Sequence, residues 1–337
     1  MTEESMRAAF WRAPGPARTV LELGAMPRPV PKEGEVLVRI AASGVNPHDV
    51  KKRSGWMPVP PPSEPVVPHS DGAGVIEAVG PGVAPARLGQ RVWVFRGGSA
   101  VPNRGTAAAF CVVKDHQAPV LPDGVPFTVG AALGVPALTA HAALFMDGPL
   151  PEGSTVLIQG GAGAVGACAV RFAARAPGVR VIATASTAEK QAAARAAGAH
   201  HVLDYRAPDI AEQILALSSG VERIVEVDFA ANQTTDIAVI KRHGVVASYS
   251  STANRTPVLD YYGFALKGCT LHFVQGMFLR GAVLEAGIAA TNRGLTEGWL
   301  RPTIAAALPL DRIAEAHELV EASAGGKVVV VVDETLH

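Results

Sequence analysis

The stretch GGAGAVG at residues 160–166 follows the apolar run STVLIQ (154–159) and precedes the alanine-rich run ACAVRFAARA (167–176). A strand pattern, a G-x-G-x-x-G loop and a helix pattern in this order are typical of the first turn of a dinucleotide-binding domain. The glycines permit a tight turn and the close approach of a pyrophosphate, whose charge the following helix N-terminus stabilises. The sequence therefore predicts dinucleotide binding along the whole loop, through Gly160, Gly161, Ala162, Gly163, Ala164, Val165 and Gly166.

The pattern around this loop predicts an α/β fold in two domains. From about residue 150, strand-like runs alternate with helical runs, which indicates a doubly wound parallel sheet. The strand candidates are STVLIQ, VRVIAT, HHVLDY, RIVEVDF, GVVASY and CTLHFV. Residues 1–129 instead contain short β-like runs separated by Gly and Pro, which are typical of a β-barrel or another compact β-rich unit. We therefore predict a cofactor domain at 130–275 and a β-rich domain at 1–129 that residues 276–337 complete.

The composition argues against several classes of partner. Thirty basic and thirty acidic side chains give a net charge of zero, whereas binding to nucleic acid or to an anionic membrane needs clustered positive charge. The three cysteines are far apart in the sequence, which predicts reduced thiols. No apolar run is long enough to span a bilayer, and MTEESMRAAF (1–10) lacks the apolar core of a secretory signal. We expect a soluble cytoplasmic protein with no nucleic-acid or membrane partner.

The end of the second predicted strand of this domain favours NADPH over NADH. In an NAD site, an Asp or Glu about 20 residues beyond the glycine loop holds the ribose 2′-hydroxyl, but VIATAS (181–186) contains no acid. Ser186-x-x-Glu189 is predicted to be a capping box, in which the Glu189 carboxylate reaches back to the Ser186 backbone. Lys190 and the hydroxyls of Ser186 and Thr187 are then predicted to contact a 2′-phosphate.

Motifs for other chemistries are missing from the sequence. It contains no H-E-x-x-H, no G-x-S-x-G, no P-loop lysine and no Cys/His set at metal-ligand spacing. A bound dinucleotide without a hydrolytic or metal site indicates hydride transfer, in which the cofactor supplies the chemistry and the protein supplies orientation.

Six segments, in order, resemble one known family. They are GVNPHD (44–49), DGAGVIEAVGPGV (71–83), LGQRV (88–92), ALGVPALTAHAAL (132–144), VLIQGGAGAVG (156–166) and GAHHVLDYR (198–206). Together they are similar to the medium-chain dehydrogenase/reductase superfamily, and specifically to its zinc-free quinone oxidoreductase branch, the zeta-crystallin-like enzymes. The resemblance covers essentially the whole chain. It implies a GroES-like β-barrel as the catalytic domain, a Rossmann domain for the cofactor, and an active site in the cleft between them.

The resemblance also implies that no metal is bound. The zinc-dependent relatives have Cys and His ligands at three positions that here hold Asn46, Ser70 and, approximately, Val135. Cys and His supply the ligands that such a site needs, and the four-cysteine structural zinc lobe of those relatives is missing too. We therefore expect neither a catalytic nor a structural metal.

The resemblance assigns roles to individual residues. Asn46 and Thr139 match positions near the nicotinamide and its ribose. Lys190 matches a lysine that binds the 2′-phosphate, and Tyr205 resembles a tyrosine close to the adenine-side phosphate. Ser248-Tyr249-Ser250 ends the fifth strand, where the family passes the nicotinamide.

Asp49 and Trp56 complete the predicted catalytic set. Asp49 retains the aspartate of the family's N-x-x-D motif, where it either acts directly or forms an ion pair or turn cap beneath the site. Trp56 and PVPPPSEPVVP (58–68) would form the lip of the cleft, or else a rigid surface loop with a packed tryptophan. Six prolines in eleven residues exclude a helix or a central strand for this segment.

We expect an NADPH-dependent enzyme that reduces quinones or other α,β-unsaturated carbonyls by hydride transfer without a metal. Asn46 is the candidate donor to the substrate oxygen on which negative charge collects. Two alternatives stay open: a 2-enoyl-thioester reductase of the same superfamily, and a non-catalytic NADPH-binding redox sensor or structural protein. The family also pairs the last Rossmann strand edge to edge, so CTLHFV (269–274) predicts a homodimer.

Overall fold

The computed structural model describes residues 4–57, 62–99 and 102–336. The contacts between Cα atoms define two compact units. One consists of the chain up to Val135 and from Asn292 onward, and the other is Pro136–Thr291. The domain boundaries expected at 129/130 and 275/276 stay a prediction.

The two units differ in their content of strands and helices. In chain order the strands are β1 (Ser5–Phe10), β2 (Glu22–Pro27), β3 (Glu35–Val45), β4 (Asp71–Val79), β5 (Arg91–Val94), β6 (Phe110–Lys114), β7 (Thr155–Ile158), β8 (Arg180–Thr184), β9 (His201–Leu203), β10 (Val221–Glu226), β11 (Ile240–Ser248), β12 (Thr270–Phe273), β13 (Ile304–Pro309) and β14 (Lys327–Val331). The α-helices are α1 (Ala17–Val20), α2 (Pro47–Ser54), α3 (Phe127–Gly130), α4 (Gly134–Phe145), α5 (Ala164–Ala173), α6 (Ala188–Ala197), α7 (Ile210–Ser218), α8 (Phe229–Val239), α9 (Tyr261–Ala265), α10 (Gly281–Thr296) and α11 (Ile313–Glu321). Strands β7 to β12 lie in the second unit.

The strands of the first unit form a β1–β2 hairpin and one larger sheet. The larger sheet has the order β13-β14-β3-β4-β5, and β6 also pairs with β3. The C-terminal strand β14 runs antiparallel to β3, with Val328 opposite Val45. The sheet of the first unit therefore pairs two strands that are almost 300 positions apart in the sequence.

Strand β3 lies inside the larger sheet, between β14 and β4. Its side chains contribute to two apolar cores. Val36, Val38 and Ile40 lie in one apolar core, and Val45 packs with Val328 in another. β-Branched side chains have restricted χ1 rotamers and pack well on a pleated surface, so the run KVVVV at 327–331 forms a strand. Each such buried side chain contributes about 1.5–3 kcal/mol.

The second unit contains a fully parallel six-stranded sheet. Its order is β12-β11-β10-β7-β8-β9. The chain begins in the centre with β7, adds β8 and β9 on one side, and then returns to add the other three strands. This is the doubly wound Rossmann order, so the predicted α/β fold and all six predicted strands are confirmed. Ligands of such sheets bind beyond the carboxyl ends of the strands, where the order reverses; here that point lies between β7 and β10.

The helices are short. The longest, α10, has 16 residues, and within the ranges given above no helix is both long and apolar enough to cross a bilayer.

The proline-rich segment 58–68 is only partly a surface loop. Residues 58–61 lie outside the described part of the chain. Val66 and Val67 are 3% and 2% exposed, and they form isolated bridges with Trp11 and Arg104 respectively. The prediction of a surface loop is therefore wrong for these two residues, because their apolar side chains are buried.

Candidate functional site

The glycine loop joins β7 to α5 in the second unit. Gly160 has a φ of +69°, a region that favours glycine. The loop is closed by backbone bonds from Gly161 to the Thr184 carbonyl at 2.9 Å and from Gly163 to the Gly160 carbonyl at 2.9 Å. Gly163 is the N-cap of α5 and no side chain caps this helix. Its first N–H groups have no intrahelical acceptor, which makes them donors for an anion.

The glycines of this loop are required for two different reasons. A Cβ at Gly166 would lie 2.2 Å from the Gly160 carbonyl oxygen, and a Cβ at Gly161 would lie 2.7 Å from Ala183 Cβ. These two positions therefore serve close packing. Gly163 is exposed, and a Cβ there would lie 3.3 Å from the same carbonyl oxygen. The exposed position leaves the backbone open to a ligand, so the loop fits a pyrophosphate.

A buried polar network supports the loop from below. Thr184 Oγ1 accepts from the Gly160 N–H at 3.0 Å and donates to Gln159 Oε1 at 2.8 Å. Gln159 Nε2 donates to Asp236 Oδ1 at 3.2 Å. Burial and the adjacent Glu226 carboxyl raise the pKa of Asp236 well above its usual value. Burial also raises the pKa of Glu226, so the environment of the pair favours the neutral form of these carboxyl groups. This pair was not predicted from the sequence, although Glu226 inside the apolar run RIVEVDF was a signal.

The turn between β8 and α6 departs from the predicted capping box. Thr187, not Ser186, is the N-cap of α6, and its hydroxyl accepts the Lys190 N–H at 3.3 Å. Glu189 accepts hydrogen bonds from its own backbone N–H and from Thr187, and these lower its pKa. The box is wrong because the helix begins one residue later than expected, which places Glu189 second in the helix instead of third. The Thr187 hydroxyl is thus already used in the cap, while the Lys190 side chain extends from the first turn.

A cation that the sequence analysis missed lies beside this turn. Arg206 donates to the Ser186 carbonyl, and its Nε donates to Asp204 Oδ1 at 3.0 Å. The hydrogen bonds from the Arg206 side chain and backbone N–H to Asp204 lower the pKa of Asp204 to about 2. Tyr205, next to Arg206, is 49% exposed. The last letter of GAHHVLDYR was the available signal. Arg206 is tied to the same turn that precedes Lys190.

Two further predicted cofactor contacts lie at other points of the second unit. Ser248 ends β11 and Tyr249-Ser250 follow it at the carboxyl edge of the sheet, where the Tyr249 N–H donates to the Glu226 carbonyl at 3.0 Å. Thr139 lies on α4 and is 3% exposed, yet its Oγ1 has no hydrogen-bond partner among the described residues. Buried hydroxyls are almost always hydrogen-bonded, so this one is suited to a ligand.

In the first unit, three polar side chains meet where three adjacent strands end or begin. Asn46 follows β3, Asp71 begins β4 and Lys327 begins β14. Lys327 Nζ donates to Asn46 Oδ1 at 2.6 Å and to Asp71 Oδ2 at 2.8 Å. Asn46 Nδ2 donates to Asp71 Oδ2 at 2.7 Å. The other Asp71 oxygen accepts the Val135 N–H at 2.8 Å. All three side chains are buried.

This cluster fixes the orientation of the Asn46 amide. Its oxygen must face the Lys327 ammonium, because a flipped amide would place N–H groups against the cation. One N–H of the amide then donates to Asp71. The second N–H has no acceptor among the residues that the structure describes, and it is the one that a ligand could use. Lys327 and Asp71 were missed by the sequence analysis; a lysine that opens the buried run KVVVV was the available signal.

Asp49 connects Asn46 to His48. Its Oδ2 accepts the Asn46 N–H at 2.9 Å, and its Oδ1 lies 3.0 Å from His48 Nε2. The same nitrogen lies 3.0 Å from Ser70 Oγ. Although burial opposes its charge, the neighbouring His48 lowers the pKa of Asp49 well below its usual range. Asp49 thus has the ion-pair and cap contacts foreseen as one of its two roles.

Two other histidines of this unit are buried and uncharged. His69 Nδ1 lies 2.8 Å from Ser43 Oγ, and His69 Nε2 lies 3.0 Å from His317 Nε2. Burial lowers the pKa of His69 to about 4 and that of His317 well below its usual value. Across the described ranges, no three His, Cys, Asp or Glu side chains are grouped so that they could hold a metal ion. The expectation of a metal-free site stays a prediction.

Trp56 is not part of the Asn46 cluster. It follows the C-terminal end of α2, whereas Asn46 precedes the N-terminal end of this eight-residue helix. The Trp56 ring is 37% exposed and lies 4.6 Å from Lys51 Nζ. The rise of the helix separates the two positions by about 12 Å.

Known protein domains match both units of the chain. The alcohol dehydrogenase GroES-like domain matches residues 32–123, and a zinc-binding dehydrogenase domain matches residues 164–289. Quinone oxidoreductase of Homo sapiens is 32% identical over 307 residues, covering 90% of this chain and 91% of the relative. That of Sus scrofa is 33% identical over 311 residues, with the same shares.

The chain belongs to the quinone oxidoreductase branch of the medium-chain dehydrogenase/reductase superfamily. As members of this family are oxidoreductases, the predicted class of protein is confirmed, as is the GroES-like domain. A solved structure of the family, mycobacterial Rv1454c complexed with NADPH, has a TM-score of 0.85 and 29% identity, covering 97% of this chain and 100% of that one.

The buried pair in the first unit yields a prediction about stability. Lys327→Met is expected to lower the free energy of unfolding by about 3–5 kcal/mol, because it leaves the Asp71 carboxylate buried without its cation. Urea unfolding followed by circular dichroism measures the loss. The matched control is Lys241→Met: Lys241 pairs with Glu222 at 2.6 Å, but both side chains are about one-third exposed, so the expected loss is at most about 1 kcal/mol. Equal losses would contradict the prediction.

Proposed function

We propose that this chain is an NADPH-dependent reductase of quinones or other α,β-unsaturated carbonyls that works by hydride transfer without a metal. The observation that carries the proposal is the pairing of an open glycine loop with two cations, Lys190 and Arg206, beside a strand end that has no acid. The similarity to human quinone oxidoreductase and to a relative solved with NADPH supports it.

The second unit supplies the residues that would hold NADPH. The loop at 160–166 and the first turn of α5 would bind the pyrophosphate. Lys190 and Arg206 would bind the 2′-phosphate, as a point charge and as a planar fork respectively. The 2′-phosphate end of the cofactor would be lined by Ser186, Thr187 and Tyr205. The nicotinamide end would be lined by Thr139 and Ser248-Tyr249-Ser250. When bound, the cofactor supplies a hydride from its nicotinamide ring.

The first unit supplies the residues that would act on the acceptor. As the acceptor carbon is reduced, negative charge collects on its oxygen. The remaining N–H of Asn46 can donate to that oxygen, and the Lys327 ammonium at 2.6 Å polarises the amide toward donation. A quinone spreads its charge over a ring that becomes aromatic, so no Lewis acid is required. By the resemblance, the positions of the zinc ligands in metal-dependent relatives carry Asn46, Ser70 and, approximately, Val135, which are poor ligands for zinc.

A panel of acceptors tests this proposal. We expect NADPH oxidation with 9,10-phenanthrenequinone and with an alkenal, and at least tenfold lower kcat/KM with a crotonyl thioester, followed as loss of absorbance at about 340 nm. A thioester preferred over both other acceptors would favour the 2-enoyl-thioester reductase. Tight NADPH binding without turnover of any acceptor would favour the non-catalytic sensor or structural protein.

Lys190 tests the choice of cofactor. Lys190→Ala is expected to raise the KM for NADPH by about 10- to 100-fold, because a charge-assisted bond to phosphate contributes about 1.5–3 kcal/mol. The KM for NADH should change less than about twofold. Arg195→Ala is the matched control, since Arg195 is an exposed cation on the same helix α6, and it should leave both constants unchanged. Equal effects of Lys190→Ala on the two cofactors would overturn the assignment.

We also propose that the chain forms a homodimer through β12, the edge strand of the parallel sheet. Large apolar side chains on β12 and in the segments next to it in sequence are strongly exposed: Tyr261 65%, Tyr262 70%, Leu266 72%, Phe273 74% and Phe278 70%. An unpaired edge with exposed aromatic residues is a surface that a second copy can cover.

Light scattering tests the dimer. The wild type should have twice the monomer mass, and Phe273→Glu should shift it toward the monomer by placing a charge in the interface. Leu88→Glu is the control, because Leu88 is 57% exposed but lies in the first unit. A monomeric wild type at micromolar concentration would refute the proposal.

A further inference from the structure

One histidine nitrogen in the first unit faces two oxygens. His48 Nε2 lies 3.0 Å from Asp49 Oδ1 and 3.0 Å from Ser70 Oγ. Its hydrogen is therefore shared between the carboxylate and the serine hydroxyl oxygen. The hydroxyl hydrogen of Ser70 must then point elsewhere, and none of the described residues accepts it. In this arrangement the Ser70 hydroxyl can donate a proton, and His48 Nε2–H can replace it.

We propose that Ser70 donates a proton to the reduced acceptor and that the His48 imidazolium restores it. The inference rests on the proposed function and adds to it the source of the proton. Ser70 would be a catalytic residue, since it touches the substrate oxygen. His48 acts through Ser70, and Asp49 orients His48.

The place of Ser70 in the sheet supports this role. Ser70 immediately precedes Asp71, whose carboxylate holds the Asn46 amide at 2.7 Å. The Ser70 backbone is itself fixed, because its carbonyl accepts the Gly97 N–H at 2.8 Å. The hydroxyl and the free amide N–H thus stand at the same strand end. They can serve one substrate oxygen in two ways, with Asn46 stabilising its charge and Ser70 supplying the proton.

The charges around His48 favour its protonated form. Burial opposes the charge, and Lys327 on β14 opposes it too. The carboxylates of Asp49 on α2 and Asp71 on β4 outweigh both, so the pKa of His48 is raised above its ordinary value. The imidazole side chain is 32% exposed, and it can therefore be reprotonated from water. By contrast, buried His69 and His317 are neutral and cannot replace it.

The relay moves protons only, because the hydride of the proposed function supplies both electrons. The O–H bond of Ser70 breaks as an O–H bond forms on the substrate oxygen, which carries the new electron pair. The Nε2–H bond of the His48 imidazolium breaks and its proton restores the Ser70 hydroxyl. Neutral His48 then takes one proton from solvent. One solvent proton is consumed for each acceptor reduced.

The pH profile of kcat/KM for an alkenal tests the relay. In the wild type the rate should be constant at low pH and fall as the pH rises through the pKa of His48, because the proton-bearing form is the active one. His48→Gln should lower the rate by about 10²-fold and abolish this alkaline limb. Ser70→Ala should lose as much, while Ser70→Thr should recover most of the rate by restoring a hydroxyl. His116→Gln, a change of an exposed histidine in the same unit, should alter nothing.

Two readouts that do not depend on turnover separate this inference from the proposed function. Fluorescence titration should give unchanged NADPH affinity in His48→Gln and Ser70→Ala. The imidazole of His48, titrated by NMR in the protein without cofactor, should ionise above the usual histidine value and shift downward in Asp49→Asn.

Each outcome decides between the two proposals. Wild-type turnover with an unchanged alkaline limb in His48→Gln, or full activity in Ser70→Ala, would overturn the relay alone. NADPH binding without turnover of any acceptor would overturn the proposed function and the relay together.

Discussion

The buried contact of Lys327 with Asp71 and Asn46 is the constraint on which the first unit depends. Desolvating an ammonium and a carboxylate costs several kcal/mol each, and the cost is offset only when every polar atom finds a partner. Here the carboxylate accepts from Lys327, Asn46 and the Val135 backbone, at 2.7–2.8 Å. The same bonds join the ends of three adjacent strands. They therefore set the amide of Asn46 in one orientation, which neither strand pairing nor apolar packing would determine.

Buried polar groups also hold the glycine loop of the parallel sheet. The backbone of Gly160 is tied through Thr184 and Gln159 to the carboxyl pair of Glu226 and Asp236. Burial raises the pKa of both carboxyl groups and so favours their neutral forms in this apolar core. These hydrogen bonds hold the Gly160 backbone in place, and the first N–H groups of α5 beside it are not capped by a side chain.

Three histidines of the first unit show how position sets protonation. His69 and His317 contact hydroxyl and imidazole groups in a closed core, and burial keeps them neutral. His48 stands next to two carboxylates and reaches solvent, so the charged form is favoured. The residue type is the same, and the difference lies in the opposite charges nearby and in the access to water.

Much of this protein follows from local pattern. The alternation of strand-like and helical runs predicted the six parallel strands, and GGAGAVG predicted the glycine loop. Each of these signals is formed by residues that are close together in the chain. The tertiary structure alone decided the rest. Lys327 and Asn46 are 281 positions apart, Arg206 reaches back to the turn before Lys190, and α6 begins at Thr187 instead of Ser186. These contacts depend on which strand ends come together and on which backbone torsions the turn adopts. Neither the pairing of distant strand ends nor the torsions of a turn produces a repeating pattern of residues in the sequence.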